Sequence, residues 1–132
     1  MKGITVEELL SDERHGLGLK LLAGGGGLKR RICVPRIQRP GLAFAGYTRL
    51  LHNDRIQVLG YSELSYLASL PKARREWAVK RFCSQEICCV VVTRGQQIPE
   101  LLLKAAEEKD IPLLLTELLS STFITKVTQF LE

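Results

Sequence analysis

The sequence predicts an α/β fold in which helices flank a small parallel sheet, with an α+β extension at the N-terminus. The chain has 132 residues, a common size for one domain, and 45% of them are apolar. From Arg55 onward, short β-branched apolar runs alternate with segments of helical periodicity, as in parallel strands joined by helices. We therefore expect a single domain over residues 1–132, in which residues 1–54 pack as an extension onto an alternating β/α unit, residues 55–132.

The extension opens with a helix signal. Thr5 and Glu8 have the spacing of a capping box, which predicts a short helix from Val6 to about Asp12. A short apolar run at residues 19–22 and a β-branched segment at residues 31–37 predict two short strands. Because the second segment contains a proline, we expect it to lie at a sheet edge at most.

Four consecutive glycines, Gly24 to Gly27, separate these two segments. In a Walker loop the last glycine is followed by Lys and then by Ser or Thr, which contact phosphate and magnesium. Here Leu28, Lys29 and Arg30 follow instead. The glycines therefore predict a flexible turn between two short strands and not a nucleotide site.

The alternating unit begins with a strand at residues 56–59, ended by Gly60. Ser62 is the predicted cap of the next helix, and Pro71 either starts a second helix or kinks the first. The second helix should run from Lys72 to about Phe82. Its expected apolar stripe consists of Ala73, Trp77, Ala78 and Phe82.

Trp77 has two interpretations. The apolar stripe favours a buried indole packed against the sheet, since a buried aromatic contributes several kcal/mol to a small domain. The alternative is an exposed platform, formed by Trp77 and its basic neighbours, for a nucleic acid or an acidic partner.

The rest of the chain completes the alternation. Residues 88–93 form a continuous β-branched run, as expected of a central strand covered on both faces. Pro99 opens a helix through Lys109, residues 112–116 form the next strand, and Ser120 or Ser121 caps the last helix. The unit is therefore predicted to be a small Rossmann-like parallel sheet.

Several function classes are disfavoured by composition. No apolar run approaches the roughly 20 residues that span a bilayer, and acids replace the apolar stretch of a signal peptide, so we expect a soluble, cytoplasmic protein without membrane contact. The cysteines and histidines lack metal-ligand spacing, which predicts free thiols and no metal site. They are Cys33, Cys83, Cys88, Cys89, His15 and His52.

The formal charge of +5 raises the question of a polyanionic partner. The basic residues fall in two clusters, at residues 29–39 and 72–81, but they are not interleaved with aromatic side chains as in a stacking platform. We therefore interpret them as a solvated helix face and a basic loop, which argues against nucleic-acid binding.

Two motifs stand close together in the middle of the chain. R-P-G-L-A-F-A-G-Y occupies residues 39–47, and D-R-I-Q-V-L-G occupies residues 54–60. Weaker matching stretches follow in order, and the opening residues 4–10 also fit. Taken together, the sequence resembles the N-terminal domain of the bacterial HPr kinase/phosphorylase family over nearly its whole length.

In that family the enzyme phosphorylates a serine of HPr, the phosphocarrier of the sugar phosphotransferase system, and removes the phosphate by phosphorolysis, which regulates carbon metabolism. The resemblance implies that ATP and magnesium serve a separate kinase domain, whose motifs this sequence lacks. It implies a non-catalytic regulatory, partner-binding or assembly domain without a cofactor of its own. The implied partners are its own kinase domain, homo-oligomer partners, and HPr or a small anionic effector.

The candidate ligand residues follow from the predicted sheet, because open parallel sheets bind ligands beyond the carboxyl ends of their strands. Thr93, Arg94 and Gly95 stand at such an end, and Arg94 is the best single candidate for an anion contact. The sequence favours the structural interpretation, in which Arg94 pairs with a nearby carboxylate and Gly95 serves the turn. Arg39 with Tyr47 and Arg49 forms a second candidate polar surface. No catalytic residues are predicted, since no base or nucleophile pairing is recognisable.

Two function classes therefore stay open. One is a regulatory or assembly domain of a bifunctional kinase. The other is a free-standing module that binds a nucleotide or another small anion. A Walker loop downstream in the parent reading frame would favour the first.

Overall fold

The computed structural model describes residues 3–132. The strands are β1 (Ile4–Thr5), β2 (Lys20–Ala23), β3 (Arg31–Ile32), β4 (Ile37–Gln38), β5 (Ile56–Leu59), β6 (Cys89–Val92) and β7 (Leu113–Leu115). The helices are α1 (Val6–Ser11), α2 (Gly41–Phe44), α3 (Tyr61–Ser69), α4 (Lys72–Cys83), α5 (Glu100–Glu108) and α6 (Ser120–Leu131). A short 3₁₀ turn, Gly25–Gly27, follows β2.

A five-stranded sheet in the order β2-β7-β6-β5-β4 forms the centre of the molecule. Strands β4 to β7 are parallel, whereas β2 runs antiparallel to β7. A separate antiparallel pair joins β1 to β3. The predicted α/β class is confirmed. Both edge strands of the central sheet, β2 and β4, come from the segment expected to be the extension.

Helices cover both faces of the sheet. The core on one face contains side chains from α2, α3, α4 and α5, including Phe44, Phe82 and Leu102. The core on the other face lies beneath α1 and α6 and includes Leu9 and Phe123. Strand β6 sends alternate side chains into the two cores, and all four of its residues are buried. This confirms the predicted central strand.

The helix starts match the sequence in part. The capping box of α1 is confirmed: the Glu8 amide donates to Thr5 Oγ1 at 3.1 Å, and the Thr5 amide donates to Glu8 Oε1 at 3.3 Å. The predicted serine caps are wrong. Ser62 lies inside α3, whose first turn is capped by Glu63, and α6 begins at Ser120 without a side-chain cap.

The prediction that Trp77 is buried is also wrong, since 42% of the residue is exposed. Pro71 starts a new helix, and the buried face of α4 consists of Ala78, Val79, Phe82 and Cys83. Successive residues of a helix are about 100° apart around its axis. Trp77 therefore lies beside the buried face of α4 and not on it, and Val79 is buried there instead.

The glycine run forms the predicted turn, but the turn is closely packed and not loose. Gly24 has a left-handed φ of 75°, and the amide of Gly27 donates to its carbonyl at 3.0 Å. A Cβ atom at Gly24 or Gly27 would overlap the backbone of residues 110–112. The turn thus needs glycine because another segment of backbone touches it. None of the helices between residues 3 and 132 is long and apolar enough to span a membrane.

Candidate functional site

A cleft of about 400 Å³ opens at the carboxyl ends of β5 and β6. Strand β5 leads through Gly60 into α3, and β6 leads through Thr93 to Arg94. This is the edge where an open parallel sheet places its ligands. The side chains and backbone that line the cleft belong to Arg39, Tyr61, Ser62, Arg94, Leu119, Ser120 and Ser121.

Arg94 lies at the mouth of the cleft in a left-handed conformation, with a φ of 65°. Its amide donates to the carbonyl of Leu118 at 2.8 Å, and the amide of Gly95 donates to Thr116 at 2.9 Å. These bonds hold the turn against the connection between β7 and α6. The guanidinium carbon lies 5.6 Å from the centre of the Tyr61 ring. It forms no ion pair with any acid in residues 3–132, so its charge stays available to a ligand.

Gly95 follows with a φ of 59°, which supports the structural interpretation of this residue. A Cβ atom at this position would overlap the carboxylate of Glu117, which would have to move to make room for it. Gly95 lines a neighbouring cavity beside α5 and not the cleft itself. Its role in the structure is therefore to complete the turn that presents Arg94.

Arg39 reaches the same cleft from the other side of β5 but is already paired. Its Nη2 lies 2.9 Å from Glu63 Oε1, and its Nε donates to Glu63 Oε2 at 3.2 Å. Glu63 is buried and also accepts the Gly60 amide at 2.7 Å. A bidentate pair of this kind fixes geometry, so Arg39 braces the start of α3 and forms a wall of the cleft.

Two buried threonines fix the chain segments next to the cleft. The hydroxyls of Thr93 and Ser120 lie 2.6 Å apart and join the end of β6 to the start of α6. Thr116 donates to the carbonyl of Leu17 at 2.7 Å and accepts the Leu118 amide at 3.2 Å. Thr93 is fully buried, so it positions the cleft and does not face a ligand.

Tyr47 lies outside the cleft. It lines a separate groove of about 120 Å³ with Leu42 and Leu50, and Arg39 contributes to both places. The structure thus brings Arg39 and Arg94 together but leaves Tyr47 apart. Sequence reasoning missed the buried acid Glu63, although its position three residues after Gly60 has the spacing of a capping box.

The start of α6 adds to the positive character of the cleft. This twelve-residue helix has no acid in its first turn and no side-chain cap, so its first amides are free of intrahelical partners. The hydroxyls of Ser62 and Ser121 stand on exposed residues beside it. One free guanidinium, amide groups and hydroxyls form a donor set suited to an anion. This set of groups contains no pairing of a base with a nucleophile.

The comparisons with known proteins identify the family. The family model described as "HPr Serine kinase N terminus" matches residues 4–131. A protein of Geobacter sulfurreducens named HPr kinase/phosphorylase is 47% identical over 129 residues, which cover 98% of this chain and 40% of that protein. A protein of the same name from Leptospira biflexa is 38% identical over 130 residues, with the same coverage. The chain thus spans about two fifths of the length of these relatives, and it belongs to the family of HPr serine kinase N-terminal domains.

Proposed function

We propose that this chain is a non-catalytic regulatory domain of a cytoplasmic HPr kinase/phosphorylase and that its cleft binds a small phosphorylated anion as effector. Family membership supports the biological context. The position of the cleft at the carboxyl edge of the parallel strands supports a ligand site there. The proposed partners are the kinase domain of the same protein, further copies in an oligomer, and HPr itself.

Arg94 is the observation that carries this proposal. A left-handed conformation costs a residue with a Cβ atom about 1–2 kcal/mol, and glycine would remove that cost. The protein nevertheless has an arginine there, with its guanidinium exposed above Tyr61 and free of acids in the described chain. Strain kept at an exposed charged side chain is typical of a functional position.

The proposal that this domain is non-catalytic rests on the sequence. It contains no G-x-x-x-x-G-K-[ST] stretch to hold nucleotide phosphates. We infer that ATP and magnesium are cofactors of a kinase domain outside this chain. A free-standing anion-binding module would use the same cleft, and a Walker loop in the parent reading frame would favour the regulatory domain.

Arg94→Gly tests the cleft without disturbing the fold. Glycine keeps the left-handed turn, so the variant should be as stable as the parent or more stable, and it removes the guanidinium. Calorimetric titration with inorganic phosphate and with ADP should show binding that is at least tenfold weaker. The control is Lys104→Ala on α5, because alanine removes an exposed charge elsewhere and preserves the helix, whereas glycine would weaken it. This control should leave the binding of phosphate and ADP unchanged.

The proposal also predicts an effect in the enzyme that contains this domain. Arg94→Gly should change the response of HPr phosphorylation to phosphate or ADP while leaving the maximal rate intact. Unchanged binding of both probes by the variant, or absence of binding by the parent protein, would contradict the anion site.

A further inference from the structure

A second surface lies on α2, the segment that follows it, and α4. We call it the tryptophan surface and define it by six residues, which are Leu42, Tyr47, Leu50, Arg74, Trp77 and Arg81. Three of them, Leu42, Tyr47 and Leu50, line the small groove described above. The other three stand on one stripe of α4, at the helical spacings i, i+3 and i+7.

Trp77 is held in place at the centre of this surface. Its ring edge packs on Gly46, where an added Cβ atom would lie 2.9 Å from Cη2. The guanidinium carbon of Arg74 lies 4.2 Å from the ring centre, and that of Arg81 lies 5.8 Å away. Arg74 also donates to the carbonyl of Ala45 at 3.1 Å. The indole is therefore ordered by its neighbours although it is not buried.

The surface exposes an unusual amount of apolar area. Leu42 is 62% exposed, Leu50 57%, Tyr47 47% and Trp77 42%. Single exposed apolar residues are ordinary, but four large ones on adjoining segments form a patch of the kind that marks an interaction site.

The charged residues tied to this patch are basic. Arg74 and Arg81 flank the Trp77 ring, Arg81 also donates to Thr48 Oγ1 at 3.3 Å, and Arg49 stands between Thr48 and Leu50. Helix α4 contains five basic residues and one acid, Glu76, which is half-buried beside Trp77. One of the five, Arg75, is engaged by the carbonyls at the end of α3. The other bases of α4, together with Arg49, are exposed and give the apolar patch a positive charge.

We propose that the tryptophan surface is a docking site for an acidic protein segment that presents apolar side chains. Apolar anchors ringed by complementary charge are the usual anatomy of a protein interface, with Trp, Tyr and Arg as its dominant residues. Leucines have no π-face on which a base could stack, and Arg74 covers one face of the indole. The surface therefore suits a protein better than a nucleic acid. It is independent of the effector proposed for the cleft.

A fluorescence titration tests the proposal, because Trp77 is the single tryptophan and reports on its own surface. The probe is a synthetic amphipathic peptide in which glutamates alternate with leucines at helical spacing. A second peptide has serine in place of every leucine and keeps the charge. A single-stranded DNA oligonucleotide of equal charge serves as the nucleic-acid arm. We expect the leucine peptide to shift the emission to the blue and to bind at least tenfold more tightly than either alternative.

Variants then separate the surface from general electrostatics. Arg81→Glu and Leu50→Ser should each weaken binding of the leucine peptide at least fivefold, whereas Lys104→Glu on α5 should not. Thermal unfolding of each variant must match the parent protein, and phosphate binding in the cleft should persist in Leu50→Ser. Failure of the leucine peptide to bind, equal binding of the serine peptide, tighter binding of DNA, or an equal effect of Lys104→Glu would each overturn the proposal.

Discussion

Arg94 and Gly95 are consecutive residues with left-handed backbone, directly after β6. They do different things. Gly95 gives the turn space against Glu117, whereas Arg94 brings a charge to the mouth of the cleft. A turn that requires two positive φ angles is easiest to build from two glycines, so the arginine is the informative member of the pair.

Trp77 and Phe82 offer a matched pair on one helix. Phe82 is fully buried and packs against Phe44 with ring centres 4.7 Å apart, whereas Trp77 is largely held by arginines at the surface. We expect Phe82→Ala to lower the free energy of unfolding by about 3–5 kcal/mol and Trp77→Ala by about 1 kcal/mol. Urea unfolding followed by circular dichroism measures both. Equal losses would contradict the surface position of Trp77.

The four cysteines divide by burial. Cys33 is exposed, whereas Cys83, Cys88 and Cys89 are buried. Burial raises the pKa of the Cys83 thiol to about 12. The hydrogen bond with Cys88, together with burial, raises the pKa of Cys89 well above its ordinary value. Only Cys33 should therefore react quickly with a thiol reagent in the folded protein, and all four should react in denaturant.

The raised pKa of Cys83 also predicts a pH dependence. The unfolded thiol loses its proton near its ordinary pKa of 9.0, but the folded thiol keeps it until about pH 12. The folded state then binds more protons, so the free energy of unfolding should fall as pH rises from 9 towards 12. Urea unfolding at several pH values measures this slope. In the Cys83→Ala variant the free energy of unfolding should fall less steeply with pH than in the parent protein. An unchanged slope would argue against a buried thiol.

At the scale of elements, the glycine turn ties the extension to the alternating unit. Residues 24–27 pack against the connection from α5 to β7, and the amide of Gly24 donates to Glu107 at 3.0 Å. Strand β2 enters this turn immediately after pairing with β7. The turn thus aligns an edge strand with the sheet, which explains why it is closely packed.

Two neighbouring alanine substitutions test this turn. A Cβ atom at Gly27 would overlap the backbone of Asp110, whereas one at Gly25 would meet only Leu21 Cδ2 at 3.5 Å. We expect Gly27→Ala to destabilise the protein by more than about 2 kcal/mol, in the range of overpacked sites, and Gly25→Ala to change little. Differential scanning calorimetry of both variants measures the difference. A tolerant Gly27 would show that the turn can move away from α5.

For the whole molecule, the two proposed surfaces are centred on different parts of one scaffold and adjoin at Arg39. The cleft lies at an edge of the central sheet, and the tryptophan surface lies on helices that cover one sheet face. Binding sites placed on rigid elements can act separately. A regulatory domain could thus sense an effector at the cleft while it contacts a protein partner through α4.

The proposal of a non-catalytic domain predicts the behaviour of the isolated chain. Purified protein incubated with labelled ATP, magnesium and HPr should form no phosphoserine above a control without protein, because the chain lacks a phosphate loop and a recognisable base. A full-length family member serves as the positive control. Phosphoserine formed by the chain alone would show that it is an enzyme.

The sequence alone determined those features that depend on neighbours within a few residues. The capping box at Thr5 and Glu8, the buried strand β6 and the alternation of strands with helices all belong to this class. Each is set by local backbone preference and hydrophobic period, which the chain carries wherever it folds. The two central motifs identified the family for the same reason, since they are contiguous.

Only the tertiary structure decided how distant residues meet. Arg39 pairs with Glu63 across 24 positions, and Thr93 meets Ser120 across 27. Strand β2 joins an edge of the sheet by pairing with β7. Trp77 is exposed because α4 packs on the sheet through the adjacent face of the helix. Such outcomes depend on strand order, register and the orientation of packed helices, which no local period encodes. The cleft was therefore predictable as a sheet edge, but its paired and free arginines were not.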